Sequence, residues 1–461
     1  MKNTLLLILL AFVLHATAQD TRVKKLDSLF TALNANNGIN GNILIAEKGN
    51  VIYKKSFGLR DVAANLPLDE NSIFELASVS KQFTAMGIVL LQQKGKLQYD
   101  DKLSKYIPEL AFYEGVTLRN LLNHTAGLPD YMELIGKKGD TTKIATNKDI
   151  ITLFAKEKPA VVFAPGSKFE YSNTGYALLA SVIEKASGKT YAAFLSANIF
   201  KPLKMDNTFV YTRRLSPKKI VNYAYGYVAD KNQKNALPDA LPEYHYTWWL
   251  DGIVGDGTVN STTGDLLKWD RAMYTEKLAT KKSLELMFTP PVLPAGEKTT
   301  YGFGWIIDKS ADFGTMTTHS GGWPGYATFI ERHIDNDKTI IALFNSDLSR
   351  RPAMNSIRRI LYGLPLVEKH KAITLTEAQL TPYVGKYELA PGYIMEMTYA
   401  EGMLYTQLPG QQKFEIFPET ETTFFLKVVE AQLTFEKDDK GLVSKVTLKQ
   451  NGREMPALKV Q

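Results

Sequence analysis

The chain has 461 residues, 44% of them hydrophobic, and 55 Lys and Arg against 48 Asp and Glu give it a formal charge of +7. That excess is mild for the length, and the basic residues fall in short clusters such as Arg213-Arg214, Lys218-Lys219 and Arg350-Arg351 rather than along a stripe, which argues against nucleic-acid binding. With no cysteine there is neither a disulfide nor a cysteine-linked lipid anchor, and the six histidines lack ligand spacing with one another, so no metal or other cofactor is expected.

Taken from the start, Lys2, the apolar run Leu5–Leu14 and Ala16-Thr17-Ala18 before Gln19 read as a cleaved signal peptide over residues 1–18. The mature chain is then expected in the periplasm or outside the cell. The apolar run is too short to cross a bilayer, which takes about 20 such residues, and no later run approaches that length. A chain of this size can bury a sufficient core without disulfides. A helix is expected at Thr21–Asn36, and alternation in Asn42–Glu47 and Val51–Phe57 around Lys48-Gly49-Asn50 predicts a hairpin.

The segment Phe74 to Ala85 places Ser78 and Lys81 three residues apart. On a helix running from Ser78 to about Gln93, the lysine amine projects beside the serine hydroxyl, a spacing that suits a nucleophile and its base. Backbone N–H groups of the first turn are left free to polarise whatever Ser78 attacks. The spacing alone is not specific, because it recurs at Ser216-Pro217-Lys218-Lys219, where a proline and cationic neighbours indicate a solvated loop.

Two further motifs follow. Tyr171-Ser172-Asn173 is the only Tyr-x-Asn of the chain and sits at the entrance of a predicted helix, Asn173–Ala186. His319-Ser320-Gly321-Gly322 holds the only His-x-Gly, between a strand expected to end at Thr318 and another, Tyr326 to Arg332, where a strand edge can line a cleft. Strands are expected at Tyr301–Asp308, Phe313–Thr318, Gly325–Arg332 and Thr339–Phe344, with a helix at Met354–Leu361. Early and late strands on one antiparallel sheet, with a helical insertion between them, predict an α+β body and a mostly helical lobe with the site between the two.

The three motifs in this order resemble those of the serine β-lactamase and penicillin-binding-protein superfamily, in its class C-like, β-lactamase-related branch. The segments Leu121 to Tyr131 and Asp256 to Leu266 are similar to stretches of the same branch, and the resemblance runs from about Leu26 to Leu364. It implies that Ser78 attacks the substrate carbonyl, and that Tyr171 protonates the leaving group. Asn173 would bond Lys81 and the substrate amide, and the N–H groups of Ser78 and Gly322 would form the oxyanion hole, with Gly321 keeping the strand edge uncovered. Either Lys81 or Tyr171 is the base: unperturbed pKa values of about 10.4 and 10 leave roughly 0.1% or less of each in the basic form at pH 7, so the pair is expected to share a proton. His319 replaces the lysine usual in dedicated β-lactamases and transpeptidases and is mostly neutral near pH 7, which favours esters or peptides not recognised through a carboxylate there. Ser320, Gly321 and Gly322 complete the substrate-binding set with His319 and Asn173. His124 is read as structural, Trp323 and Tyr326 as substrate contacts, and Asn345 as a further candidate contact.

Beyond Leu364 the texture changes. Residues 367–379 read as a linker between a body at 19–366 and a β domain at 380–461. Strands are expected there at Gly385–Leu389, Ile394–Ala400, Met403–Leu408, Phe414–Pro418, Thr423–Val428, Gln432–Lys437 and Val443–Lys449, a small barrel or sandwich. Its opening, Leu380 to Leu389, resembles the lipocalin-like appendage of many β-lactamase-related hydrolases. The whole predicts a serine hydrolase that forms an acyl-enzyme on amide or ester bonds, as a D-peptidase, carboxypeptidase or carboxylesterase. Its partners would be a small-molecule or peptide substrate, cell-wall peptides among them. The alternative is a non-catalytic penicillin-binding or cell-wall-sensing protein.

Overall fold

The computed structural model describes residues 21–366, 370–390, 392–409, 413–426, 431–450 and 453–460. The expected signal peptide, residues 367–369 of the expected linker and the end of the strand expected at Thr423–Val428 lie outside the described residues. The chain divides into two compact units, Met1–Pro352 and Ala353–Gln461.

In the first unit, six antiparallel strands form one sheet. In chain order they are β1 (Gly41–Glu47), β2 (Asn50–Phe57), β3 (Ile306–Ser310), β4 (Gly314–Trp323), β5 (Tyr326–His333) and β6 (Lys338–Phe344), and their spatial order is β3-β4-β5-β6-β1-β2. The expected meeting of early and late strands is the pairing of β1 with β6, in which Ile43 faces Ala342 and Ile45 faces Ile340. All seven residues of β6 are buried, as are the first six of β1, because both faces of these central strands are covered. A helix over residues 21–33 stops short of the expected Asn36, where Asn36 and Asn37 take left-handed backbone conformations that helices do not continue through.

The helical elements include α1 (Lys81–Gln93) and α2 (Asn173–Ser187), which pack against each other, and α3 (Thr263–Ala272), which anchors α1. Trp269 of α3 is fully buried, its ring centroid lies 4.6 Å from that of Phe83, and its Nε1 donates to Gln82 Oε1 at 2.8 Å. Three further expectations need correction. The nucleophile segment is not the first turn of the α-helix but a separate 3-10 turn, Ala77–Ser80, with α1 starting at Lys81. The strand expected to end at Thr318 continues through the His-x-Gly motif to Trp323, and the strand expected from Tyr301 begins at Ile306.

In the second unit the helix Met354–Leu361 forms as expected, and eight antiparallel strands close into a barrel, which decides between barrel and sandwich. The sequence reading missed the eighth strand, Arg453–Lys459, because Pro456 breaks its pattern; this strand closes the barrel by pairing Lys459 with Tyr387. A buried cluster that includes Tyr387, Met397, Phe424, Leu433, Phe435 and Val446 forms its core. Among the described residues no helix is long and apolar enough to cross a membrane, and no group of side chains could hold a metal ion.

Candidate active site

The structure brings the three motifs together around Lys81. This side chain is 0% exposed, and its Nζ lies 3.1 Å from Ser78 Oγ, 2.8 Å from Asn173 Oδ1 and 2.9 Å from the carbonyl oxygen of Asp256. An ammonium has three N–H donors, and three oxygens surround it. A neutral amine would donate to Asp256 and Asn173 and accept from the serine hydroxyl. The contacts are therefore satisfied in both protonation states, so a proton can pass between Ser78 and Lys81 without rearrangement of the shell.

Each partner is fixed from behind. Thr84 Oγ1, one turn further along α1, donates to the Gly255 carbonyl at 2.6 Å and so ties down the loop that carries the Asp256 carbonyl. The Asp256 side chain accepts from Tyr131 Oη at 2.8 Å, and Thr174 accepts from the Tyr131 backbone N–H at 2.9 Å, which links this loop to the entrance of α2. Burial pushes the Asp256 carboxyl above its ordinary range, while the Lys81 charge opposes the shift.

Tyr171 is 42% exposed and presents its ring to the lysine, with Nζ 5.0 Å from the ring centroid; Tyr176 does the same from the buried side at 5.7 Å. Behind Tyr171 stands His124, with ring centroids 4.3 Å apart, and its Nδ1 accepts the backbone N–H of Ser172 at 3.1 Å. Burial, reinforced by the nearby Lys81 charge, holds the His124 pKa well below its ordinary value, so the ring is neutral and its proton sits on Nε2.

The third motif lies on β4. Pairing with β3 ends at Thr318 opposite Ile306, so His319 to Trp323 form an edge on that side while β5 pairs with the other. His319 is 2% exposed, and burial, reinforced by Lys81, pushes its pKa down to about 3. Its Nδ1 lies 2.6 Å from the Ser320 carbonyl, which can only accept, so Nδ1 carries the proton and Nε2 accepts from Tyr301 Oη at 2.8 Å. The expected neutral histidine is thus built into the fold.

The two glycines divide their roles differently from the sequence expectation. A Cβ at Gly321 would come within 2.2 Å of the Leu76 carbonyl and 3.0 Å of the Ser78 nitrogen, so Gly321 allows β4 to run against the nucleophile turn. The uncovered position is Gly322, where a Cβ would meet nothing within 4 Å. Ser320 is exposed, and Trp323 lines the cleft with Ser78 and Asn173. Tyr326 does not fit the expected role of substrate contact: it is buried and donates to the Ala224 carbonyl at 2.7 Å. Asn345 is also internal, its amide donating to the carbonyls of Leu59 and Tyr225.

The Beta-lactamase family model matches residues 26–363, and the model of a domain of unknown function, DUF3471, matches 369–458. The chain belongs to the Beta-lactamase family. Among relatives of this Beta-lactamase family chain, it is 43% identical over 449 residues to penicillin-binding protein 4* of Bacillus subtilis, covering 95% of this chain and 99% of that one. It is 23% identical over 348 residues to a D-aminopeptidase of Cereibacter sphaeroides, covering 75% of this chain and 63% of the relative. Among solved structures, the octameric penicillin-binding protein homologue from Pyrococcus abyssi superposes with a TM-score of 0.65 at 27% identity, over 94% of this chain and 99% of that one. These relatives support a serine-hydrolase type of activity.

Four residues of the site carry no contact predicted from the sequence. Asp256 and Tyr131 lie in segments recognised only by resemblance, and Tyr301 was read only as part of a strand. Glu75 lines the cleft three residues before the nucleophile. The only sequence signal for Glu75 is a charged residue in an otherwise apolar approach to Ser78.

Proposed function

We propose that the chain is a serine hydrolase that forms an acyl-enzyme at Ser78 and cleaves amide or ester bonds. The observation that carries this is the fully buried Lys81 amine, held between the Ser78 hydroxyl, the Asn173 amide and the Asp256 carbonyl. A lysine is rarely buried without a reason of this kind.

In this reading Ser78 Oγ bonds to the substrate carbonyl carbon as its proton passes to the Lys81 and Tyr171 pair. The backbone N–H groups of Ser78 and Gly322 take the oxyanion. Collapse of the tetrahedral species breaks the bond to the leaving group, which receives a proton from Tyr171, and water then attacks the acyl-enzyme to release the acid and regenerate the serine. The similarity to penicillin-binding protein 4* supports recognition of β-lactams. The neutral His319 favours esters and peptides, because it supplies no fixed cation for a substrate carboxylate.

The test is intact-protein mass after incubation with a fluorophosphonate and, separately, with a fluorescent penicillin, for the wild type and Ser78→Ala. An adduct that is lost in the variant supports the reading, and the preferred probe separates an esterase-like from a penicillin-recognising cleft. A folded wild type that takes neither probe overturns it in favour of a sensing protein.

A further inference from the structure

We propose that Glu75 is a specificity-determining residue that receives an ammonium group on the acyl half of the substrate; this rests on the acyl-enzyme reading above. An open cavity adjoins the nucleophile and is bordered by Ser78, Asn173, Gly322, Trp323, Glu75 and Asp251. Neither Tyr171 nor His319 borders it. If Tyr171 protonates the leaving group, the departing half lies toward Tyr171 and this cavity takes the acyl half.

The charge inventory around the cavity singles out one carboxylate. Asp239 is bound by both Arg213 and Arg214. Asp251 accepts from Arg214 Nη1 at 3.0 Å and from the backbone N–H groups of Arg214 and Leu215. Asp256 accepts from Tyr131. Among the described residues the Glu75 carboxylate has no hydrogen bond and no ion pair, although its backbone is fixed by pairing with Asn260. A part-buried carboxylate without a partner is costly, and a cation entering the cavity would satisfy it.

Burial pushes the Glu75 pKa up to about 7; the Asp251 charge adds to the shift, and Arg214 and Arg213 oppose it. The buried phenols of Tyr223 and Tyr326 are the other titratable groups that sense it. Near neutral pH the carboxyl is therefore partly protonated. An ammonium beside it would favour the ionised form and be held by a charge-assisted hydrogen bond.

The experiment compares kcat/KM for p-nitroanilides that differ in one charge: alanine p-nitroanilide of each configuration with its amino group free or acetylated, and 6-aminohexanoyl against heptanoyl p-nitroanilide. The wild type should prefer at least one ammonium-bearing member by roughly tenfold or more, the scale of a hydrogen bond to a charged group, and Glu75→Gln should remove that preference chiefly through KM. The aminohexanoyl ammonium stays charged from pH 6 to 8, so a wild-type preference measured there should rise as Glu75 ionises, independently of how any variant folds. An absent preference, one that survives in a folded Glu75→Gln, or one that does not change with pH overturns the inference. Fluorophosphonate labelling of wild-type Ser78 separates the two levels. A labelled enzyme that turns over none of the ammonium-bearing members sinks this inference alone, and an unlabelled, inactive one sinks both.

Discussion

The His124 ring packs 4.3 Å from the Tyr171 ring while its Nδ1 holds the Ser172 backbone N–H, so one buried histidine fixes both the side chain and the backbone of the second motif. His124 takes a left-handed backbone conformation, with φ of 57°, that asparagine tolerates well. His124→Asn should therefore fold yet lose the ring that backs Tyr171. The expected outcome is a fall in kcat of about tenfold to a hundredfold with a smaller change in KM, because a displacement of about 1 Å in a reacting group has that scale of effect. Steady-state kinetics on an ester substrate checks it; an equal loss through KM alone would assign His124 to binding.

Gly321 and Gly322 are neighbours with opposite surroundings, which makes them a matched pair. Gly321→Ala would drive a methyl group into the Leu76 carbonyl and against the Ser78 nitrogen, so it should lower stability by about 1–3 kcal/mol and abolish labelling of Ser78. Gly322→Ala has open space for its methyl group and should stay within about 0.5 kcal/mol of the wild type. Denaturant melts and probe labelling of both variants are sufficient.

The Asp256 carbonyl is the contact with Lys81 that residue types could not announce, since every residue carries a carbonyl and only the path of the chain brings this one to Lys81. Ser78, Lys81 and Asn173 were legible because their chemistry lies in side chains at motif spacing. The motif strand runs beyond its expected end at Thr318 because the poor strand propensity of Gly321-Gly322 is overridden by pairing of Gly321 with Thr328 and Gly322 with Ala327. Tyr326 and Asn345 misled for the converse reason: nearness in sequence to His319 or to a strand end does not say which way a side chain faces, and both point inward.

Tyr131→Phe probes the support of the lysine shell. It leaves the buried Asp256 carboxyl without its phenol donor, so a loss of about 1–3 kcal/mol is expected. Slower acylation by the fluorophosphonate should accompany it if the Asp256 carbonyl shifts away from Lys81. A variant that loses stability but acylates at the wild-type rate would show that the loop holds its place through Thr84 and Gly255 alone.

His319 makes stability depend on pH in a direction that can be worked out. Its folded pKa of about 3 lies below the unfolded value of about 6.5, so between these limits the unfolded chain binds a proton that the native chain does not. Stability contributed by this group therefore rises with pH through that window and is lost as pH falls below about 6.5, with a slope of about 1.4 kcal/mol per pH unit once the unfolded histidine is protonated. Glu75 acts oppositely, since its raised pKa makes the native state bind the extra proton between its unfolded value and about 7. The wild type alone would mix these with other shifted groups, His124 and Asp256 among them. Subtracting the profile of His319→Gln, which cannot titrate, isolates the histidine: the difference in unfolding free energy should change by about 1.4 kcal/mol per unit between pH 5.5 and 4.5 and level off above pH 7. A flat difference would mean that His319 protonates in the folded protein and that the edge strand beside Ser78 carries a cation in acid.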